Sequence, residues 1–273
     1  MWPAVCACTL ALVASCYSAQ PSAGAPCTPG LGNCPSGQTC ELVAGAHICV
    51  VGPVPDAGPA MLADAAPDAT PAPPWTLVQT RASMGLRRVT ISASGAAHLI
   101  VVAVQTNGSA VTSVTDDAGN TYVPVAGSRA IDTVEVSGSE LWYAKDSNAG
   151  ATTIDATADT IYVMAAWEVA GIRTTSPLDT ASKLDNQPAT TNPVGATITT
   201  SAVGEFVVSV VLVANMITSL TAGSAFTSDH TTFGNGWAHL TSAAAPAGTY
   251  QARWNQPNSG TSCATSAAFF VGP

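Results

Sequence analysis

The sequence predicts an all-β protein whose main part is a single large antiparallel β-sandwich of the jelly-roll or immunoglobulin-like type. Ala, Thr, Ser, Val and Gly dominate the composition, and charged residues make up only 9% of it. Such a composition suits sheets, because β-branched side chains pack well on a pleated surface. About a dozen short apolar or alternating segments are separated by Gly, Asn, Ser and Pro, which is typical of strands joined by turns.

Residues 1–16 are predicted to be a lipoprotein-type signal peptide. The apolar run before Cys16 is shorter than the ~20 residues that span a bilayer, and it ends in small residues as signal peptides do. Val13-Ala14-Ser15-Cys16 resembles a bacterial lipobox, in which the cysteine is lipidated, although the basic n-region is missing. The alternative is an ordinary cleaved signal with a chance cysteine. The expected location is the outer membrane or cell surface, with secretion as the alternative.

Residues 17–50 are predicted to form a small disulfide-rich module. They contain four closely spaced cysteines: Cys27, Cys34, Cys40 and Cys49. So short a segment of an exported chain cannot build an apolar core, so two disulfides are expected, with the pairing left open. Zinc is the alternative, but the segment lacks a Cys-x-x-Cys pair. The run Cys34-Pro-Ser-Gly-Gln-Thr-Cys40 resembles the Cys-rich modules that follow lipoboxes in myxobacterial-type surface lipoproteins, which implies a surface location.

Residues 51–74 are predicted to be a disordered linker, because Pro, Ala and Asp dominate and few side chains are large enough to bury. Residues 75–273 are predicted to be the sandwich. Within it, the runs that begin at Leu99 and Phe206 are almost wholly apolar and predict central strands covered on both faces. The sequence gives no clear sign of an internal repeat.

Two motifs of this domain resemble a β-sandwich module common in secreted and cell-surface bacterial proteins. They are Val-Thr-Asp-Asp-Ala-Gly-Asn-Thr-Tyr, which ends at Tyr122, and Leu-Trp-Tyr-Ala-Lys, which ends at Lys145. Further matches follow in the same order at 167–171, 176–179 and 247–254. The resemblance implies the sandwich fold and an accessory or adhesive role. It implies no catalytic residues, because such modules have none in common.

The segment from Asp116 to Asn120 is predicted to be the tight turn of a β-hairpin, since Asp, Asn and Gly are turn formers. Asp116, Asp117 and Asn120 also offer oxygen ligands of the kind that Ca²⁺ takes. This weak candidate metal site stays open beside the turn, and no other cofactor is expected.

Trp237 and Trp254 are the candidate ligand platform. Both adjoin polar loops, and exposed aromatic rings often serve as binding surfaces. Ordinary packing in the core is the alternative for these two residues. Trp142 and Trp167 lie in strongly apolar strands and are predicted to be core residues.

The sequence contains no recognisable catalytic set. It has no Gly-x-Ser-x-Gly elbow, and no metal-ligand spacing links the three histidines of the domain, which are His98, His230 and His239. A glycosidase needs two carboxylates across a cleft, and the glutamates available are Glu135, Glu140, Glu168 and Glu205. Glu168 is predicted to be a strand-end carboxylate or a partner of Arg173. Cys263 is predicted to be a buried, inert thiol.

The net charge of −9 and the absence of a basic cluster argue against nucleic acid or an anionic membrane surface as a partner. The expected function is a non-catalytic binding or adhesion module for a glycan or another surface protein. Two alternatives stay open: a hydrolase of extracellular polysaccharide and a purely structural envelope protein.

Overall fold

The computed structural model describes residues 26–30, 34, 38–51 and 74–272. They fall into two compact units, one within Met1–Thr70 and the other within Pro71–Pro273. The regular elements are strands in antiparallel sheets, so the predicted all-β fold class is confirmed. None of the described segments is a helix of the length and apolar character that crossing a membrane requires. The predicted signal peptide, Cys16 and nearly all of the predicted linker lie outside the described residues.

The N-terminal unit is a β-hairpin tied by two disulfides. β1 (Gln38–Val43) and β2 (Ala46–Val51) pair antiparallel, and Gly45 turns between them with a φ of 84°. Positive φ values suit a two-residue hairpin turn, because the twist of such a turn matches that of the strands. The bridges are Cys27–Cys40 and Cys34–Cys49. In so small a unit these covalent links do the work that an apolar core does in a larger domain.

The first half of the large unit forms two sheets. Its strands are β3 (Thr76–Met84), β4 (Arg88–Thr90), β5 (Leu99–Thr106), β6 (Ser113–Asp116), β7 (Tyr122–Pro124), β8 (Ala130–Asp132), β9 (Ser137–Ala144), β10 (Thr153–Thr157) and β11 (Ile161–Ala170). The larger sheet has the order β3-β11-β5-β9-β7, with β8 beside β9, and the smaller has the order β4-β10-β6. Every residue of β5 is buried, as its unbroken apolar run predicts.

The second half has the same plan. Its strands are β12 (Leu178–Thr190), β13 (Ile198–Thr199), β14 (Phe206–Met216), β15 (Ser219–Leu220), β16 (Phe226–Leu240), β17 (Thr249–Tyr250), β18 (Trp254–Asn255) and β19 (Gly260–Phe269). The larger sheet has the order β12-β19-β14-β16. The smaller layer consists of two strand pairs, β13-β17 and β15-β18.

The long element β16 folds back on itself. The hydroxyls of Thr227 and Thr241 lie 2.8 Å apart, and Asp229 Oδ1 lies 2.8 Å from His239 Nδ1. An extended chain would hold each of these pairs tens of ångströms apart. The reversal centres on Gly234, whose φ of 73° favours glycine. The part of β16 before Gly234 is its first arm and corresponds to β7 and β8. Residues 235–240 are its second arm and correspond to β9.

The large unit is thus an internal duplication of strand order. β3, β11, β5 and β9 of the first half correspond to β12, β19, β14 and the second arm of β16. The strand registers agree as well. Leu141 pairs with Ala103, the fifth residue of β5, and Trp237 pairs with Val210, the fifth residue of β14. The sequence itself shows no clear repeat, so the two halves correspond in strand order and register and not in residue identity.

The sheets of the large unit stack as four layers with three apolar cores between them. The two larger sheets face each other through a central core that contains Trp167, Phe206 and Phe269. The β4-β10-β6 sheet covers the outer face of the first large sheet, around Trp142. The strand pairs of the second half cover the outer face of the other, around Trp254.

Two local predictions need correction. Asp116–Asn120 is a turn, but it does not form a hairpin, because β6 and β7 belong to different sheets; the turn carries the chain from one layer to the next. β12 falls where the sequence predicts a loop. It is a polar edge strand whose residues are mostly half-buried, so it has neither an apolar run nor a clear alternation to mark it.

Candidate functional site

The two candidate platform tryptophans are not at the surface. Trp237 and Trp254 are both 0% exposed. Trp237 belongs to the central core, and Trp254 packs on Gly236, where an added Cβ would lie 2.9 Å from its ring. The predicted platform is therefore wrong, because each indole fills a core beneath the polar loop that flanks it in sequence. Trp142 and Trp167 are buried as predicted.

The carboxylates of the Asp116–Asn120 turn are occupied by donors of the protein. Asp116 accepts hydrogen bonds from the backbone N–H of Ala118 and Asn120, from Asn120 Nδ2 and from the Tyr122 hydroxyl. Asp117 accepts bonds from Thr152 and from the backbone N–H of Thr153, and these bonds lower the pKa of its carboxyl. This arrangement is that of a turn, which is the simpler of the two interpretations given above.

The described cysteines behave as predicted. The four cysteines of the small unit form two disulfides, so their sulfurs are not thiolate ligands for zinc. Within the described ranges, only Cys27, Cys34 and Cys40 cluster as three metal-ligating groups, and all three are in those disulfides. Cys263 is free and buried, and burial raises the pKa of its thiol to about 12. Such a thiol is inert at neutral pH.

Glu168 is the centre of a buried network. Its carboxylate accepts hydrogen bonds from Gln79 Nε2 at 2.6 Å and from the backbone N–H of Gly95 at 2.7 Å, and His98 Nδ1 lies 2.6 Å away. Glu168 is the third residue from the end of β11, close to the predicted strand end, but its partners are Gln79, Gly95 and His98 and not Arg173. Glu168 lies on β11, Gln79 lies on β3 and His98 immediately precedes β5, so the network ties together three neighbouring strands near their ends.

Glu205 is the most unusual carboxylate. Ser201 N–H donates both to Glu205 Oε1 at 3.0 Å and to Asp179 Oδ2 at 2.9 Å, so two acids converge on one donor. Glu205 Oε2 is buried and accepts no hydrogen bond from the described residues. Burial and the neighbouring Asp179 raise the pKa of Glu205 to about 7. A proton shared between the two carboxyl groups relieves their repulsion.

The remaining histidines lie in the central layer, away from His98. His239 Nδ1 is 2.8 Å from Asp229 Oδ1, while the other oxygen of Asp229 accepts a hydrogen bond from Trp167 Nε1. His230 lies edge-on to Trp237, and burial lowers its pKa. The three histidines therefore do not converge into one metal or catalytic site.

A cleft of about 410 Å³ opens at one end of the stacked sheets. The last residue of β3 and the first residues of β9 and β11 contribute to it from the first half, and the late part of β14 and the turn of β16 from the second. Its lining is mainly apolar and includes Met84, Tyr162, Val163, Leu212 and Val213. Only a few polar side chains join them, namely Glu135, Ser137 and Asn235. Glu135 is the only charged residue of this lining.

Two exposed apolar side chains, Met84 and Tyr162, line this cleft, and four others adjoin its lining. Among the described residues, ten large hydrophobic side chains are exposed, and six of them line the cleft or adjoin its lining in sequence or in strand register: Met84, Leu86, Val134, Val136, Tyr162 and Met216. Met84 is 61% exposed and Val134 is 66% exposed. Single exposed apolar residues are ordinary, whereas several of them near one concavity are typical of binding surfaces.

The cleft and the unusual carboxylates occupy opposite ends of the sheets of the large unit. The cleft touches Leu212 to Ala214, late in β14, whereas Glu205 precedes the first residue of that strand. Glu135 is therefore without a second carboxylate in the lining. The arrangement can hold an apolar group by burial, but it lacks the paired acids that glycoside hydrolysis needs.

Comparison with protein-family models, with curated proteins and with solved structures finds no match for this chain. Its function must be argued from the geometry above.

The cleft is not among the sequence-based predictions, although exposed apolar residues between strands indicate it. Leu86 follows Gly85, and Val134 and Val136 alternate with Glu135 in a turn. Large apolar residues among turn formers are costly to expose. Large apolar residues between strands are therefore the sequence feature that indicates an exposed apolar surface here.

Proposed function

We propose that the protein is a non-catalytic binding module of the cell surface, and that its cleft holds an apolar segment of another surface protein. The clustering of exposed apolar side chains around one cleft is the observation that carries this proposal. Methionine is common on surfaces that adapt to several partners, because its side chain is flexible and polarizable. Met84 lines this cleft from the first half, and Met216 of the second half pairs with Phe233, next to the lining residue Gly234.

Charge favours a partner with basic residues. The chain has a net charge of −9, and the one charged residue in the cleft lining is Glu135. A segment that joins apolar side chains to Lys or Arg would complement this surface, and attraction between opposite charges also speeds association. A glycan is less favoured, because Tyr162 is the only aromatic residue in the lining and stacking platforms use several exposed rings.

The direction of the chain also supports a binding role. Pro74 precedes β3 at the end of the sheets opposite the cleft. If the chain is exported and anchored through Cys16, as the lipobox-like motif predicts, the cleft then lies at the far end of the domain from the attachment. The two disulfides fit an oxidising compartment outside the cytoplasm.

The test is selection of binders by the full-length protein from a phage-displayed random peptide library. Enriched peptides should combine apolar residues with Lys or Arg. Met84→Glu and Met216→Glu should each weaken a selected peptide at least about tenfold, the equivalent of ~1.4 kcal/mol, because each places a charge in an apolar contact. Isothermal titration calorimetry measures the change.

Val203→Glu is the matched control. Val203 is as exposed as Met84, at 62% against 61%, but it lies before β14 at the opposite end of the strand, so its variant should bind like the wild type. If the selection enriches no peptide whose affinity the cleft variants lower, the proposal is wrong. Binding of arrayed glycans that the cleft variants do not alter would instead favour the carbohydrate alternative.

A further inference from the structure

We propose that the cleft continues inward as a polar recess formed by Gln105 and Ser139, and that this recess takes an uncharged peptide amide of the bound segment. The inference deepens the proposed function and rests on it, since it names the chemistry that the cleft recognises beyond apolar contact. The recess would make Gln105 a specificity-determining residue of the module.

The recess is the continuation of one row of paired residues. Met84 pairs with Val163, Val163 with Gln105, and Gln105 with Ser139. Paired residues on neighbouring strands share a face of the sheet and lie ~5 Å apart. Met84 and Val163 line the cleft, so the next residue along the row, Gln105, stands directly behind its wall.

The facing sheet closes the recess from the other side. Leu212 lines the cleft and packs with Cys263 and Ala130 in a small buried cluster. The backbone of Ser139 and that of Asp132 both act on the thiol of Cys263 and partly offset the effect of burial on its pKa. The polar pair thus lies in the central layer, near Cys263.

Gln105 and Ser139 have unused hydrogen-bonding groups. Gln105 is 0% exposed, and within the described part of the chain neither its Oε1 nor its Nε2 has a hydrogen-bond partner. Ser139 Oγ is in the same state. Leaving such groups unpaired is costly, whereas an apolar side chain of the same shape would avoid the cost. A glutamine here therefore points to a partner that arrives from outside the chain.

Two other glutamines of the fold, one buried and one half-buried, show the contrast. Gln187 is 6% exposed, and both ends of its amide bond the backbone of Val194, at 2.8 Å and 3.1 Å. Gln79 likewise bonds the backbone of Ser92 through both ends. The fold can satisfy glutamine amides locally, and it does not do so for Gln105.

The chemistry of the pair selects an amide. A glutamine side chain offers one acceptor and a donor group together, which is the complement of a peptide N–H and C=O. A ligand carboxylate or phosphate is disfavoured, because Glu135 is the only charge in the lining and it is negative. An extended peptide can therefore place an apolar side chain in the cleft and its backbone amide in the recess.

The experiment compares Gln105→Leu with Gln187→Leu in the full-length protein, using one peptide selected from the random library. Gln105→Leu should raise the melting temperature by about 2–4 °C and weaken the peptide by about tenfold. Gln187→Leu should lower the melting temperature, because it leaves the backbone of Val194 unpaired, and should leave peptide affinity unchanged.

A second measurement uses the ligand rather than the protein. Replacing single backbone amides of the peptide by esters should reveal one position at which the wild type loses affinity and Gln105→Leu does not. This readout stands even if Gln105→Leu proves poorly folded, because the wild type alone must show the loss at one position.

The outcomes separate the two proposals. If no peptide competes at the cleft of the wild type, the proposed function fails. If the peptide binds and Gln105→Leu binds it equally, or if no ester position matters, the recess is overturned while the cleft remains. A lower melting temperature for Gln105→Leu, together with no ester position that weakens binding to the wild type, would mean that the amide is already satisfied within the fold by buried water.

Discussion

The two halves of the large unit place different charges at equivalent positions. His98 immediately precedes β5, and Glu205 immediately precedes β14, the corresponding strand of the second half. In the first half the neighbouring strand offers Glu168, 2.6 Å from His98. In the second half the residue that corresponds to Glu168 is Ala268, which is an apolar core residue. Glu205 therefore has no cationic partner there and converges with Asp179 instead.

The two halves show that the same strand order can accommodate a buried carboxylate in two different ways. The first half satisfies its carboxylate with three donors from three segments. The second half keeps a carboxylate whose second oxygen is unpaired, and the raised pKa of Glu205 reflects that cost. The strand order is the same in both halves although their buried carboxylates are satisfied differently. It depends on the apolar faces of the strands rather than on these polar ends.

The largest effect should come from breaking the satisfied network. Glu168→Ala removes the acceptor that Gln79, Gly95 and His98 share, so buried donors are left unpaired. The free energy of unfolding should fall by about 3–5 kcal/mol. Urea denaturation monitored by tryptophan fluorescence measures it. Glu135→Ala, a change at an exposed glutamate, should alter the same quantity by less than about 0.5 kcal/mol, and an equal loss in both variants would contradict this account.

An intermediate effect, visible as pH dependence, should come from the second half. Folding raises the pKa of Glu205 from 4.5 to about 7, so the folded state binds the proton more tightly. The resulting stabilisation is complete below the unfolded value and is lost as the pH rises through about 7. Stability of the wild type should fall between about pH 5 and about pH 8 through this group.

Glu205→Gln should flatten that pH profile. A carboxamide does not ionise, and its Nε2 can donate to Asp179 as the shared proton does. Urea denaturation at several pH values measures the slope, and Glu135→Gln is the control that should keep the slope of the wild type. A Glu205→Gln protein with an unchanged slope would mean that another group titrates in this range.

The smallest effect should come from the turns that join the layers. In the first half Asp116 accepts four hydrogen bonds, whereas the corresponding turn of the second half is closed by one backbone bond from Ser224 to Thr221. Asp116→Ala should cost about 2 kcal/mol, and Thr221→Ala less than about 1 kcal/mol. Thermal melts of both variants test the difference, and similar losses would show that Asp116 does not organise its turn.

Strand positions were largely predictable, because long apolar runs such as the one that begins at Leu99 can be satisfied only in the centre of a sheet. β12 was not predictable, since its burial comes from β8 and β19 packing on a polar strand rather than from its own sequence. The duplication was hidden for a related reason. Leu141 and Trp237 occupy equivalent places, as do Trp167 and Ala267, so large and small core residues change places between the halves and no residue-by-residue likeness remains at these positions.

The candidate site was less predictable than the fold. Polar residues follow Trp254 in the sequence and predict that its ring is exposed to a ligand. Only the packing of the ring on Gly236 reveals that it is buried. The cleft brings together residues as distant in sequence as Met84 and Asn235. No local pattern contains that juxtaposition, since it arises only when the two large sheets face each other.

The placement of the cleft opposite the entry of the chain has a mechanical consequence. The chain enters the domain at Pro74, and β3 then runs the length of the sheet to Met84 beside the cleft. A pull between a partner seated in the cleft and an anchor upstream of Pro74 would therefore act along β3. Its hydrogen bonds to β11 lie across that direction, so they would be sheared together and not opened one at a time. A domain built this way resists tension best along the axis on which a tethered binder is pulled.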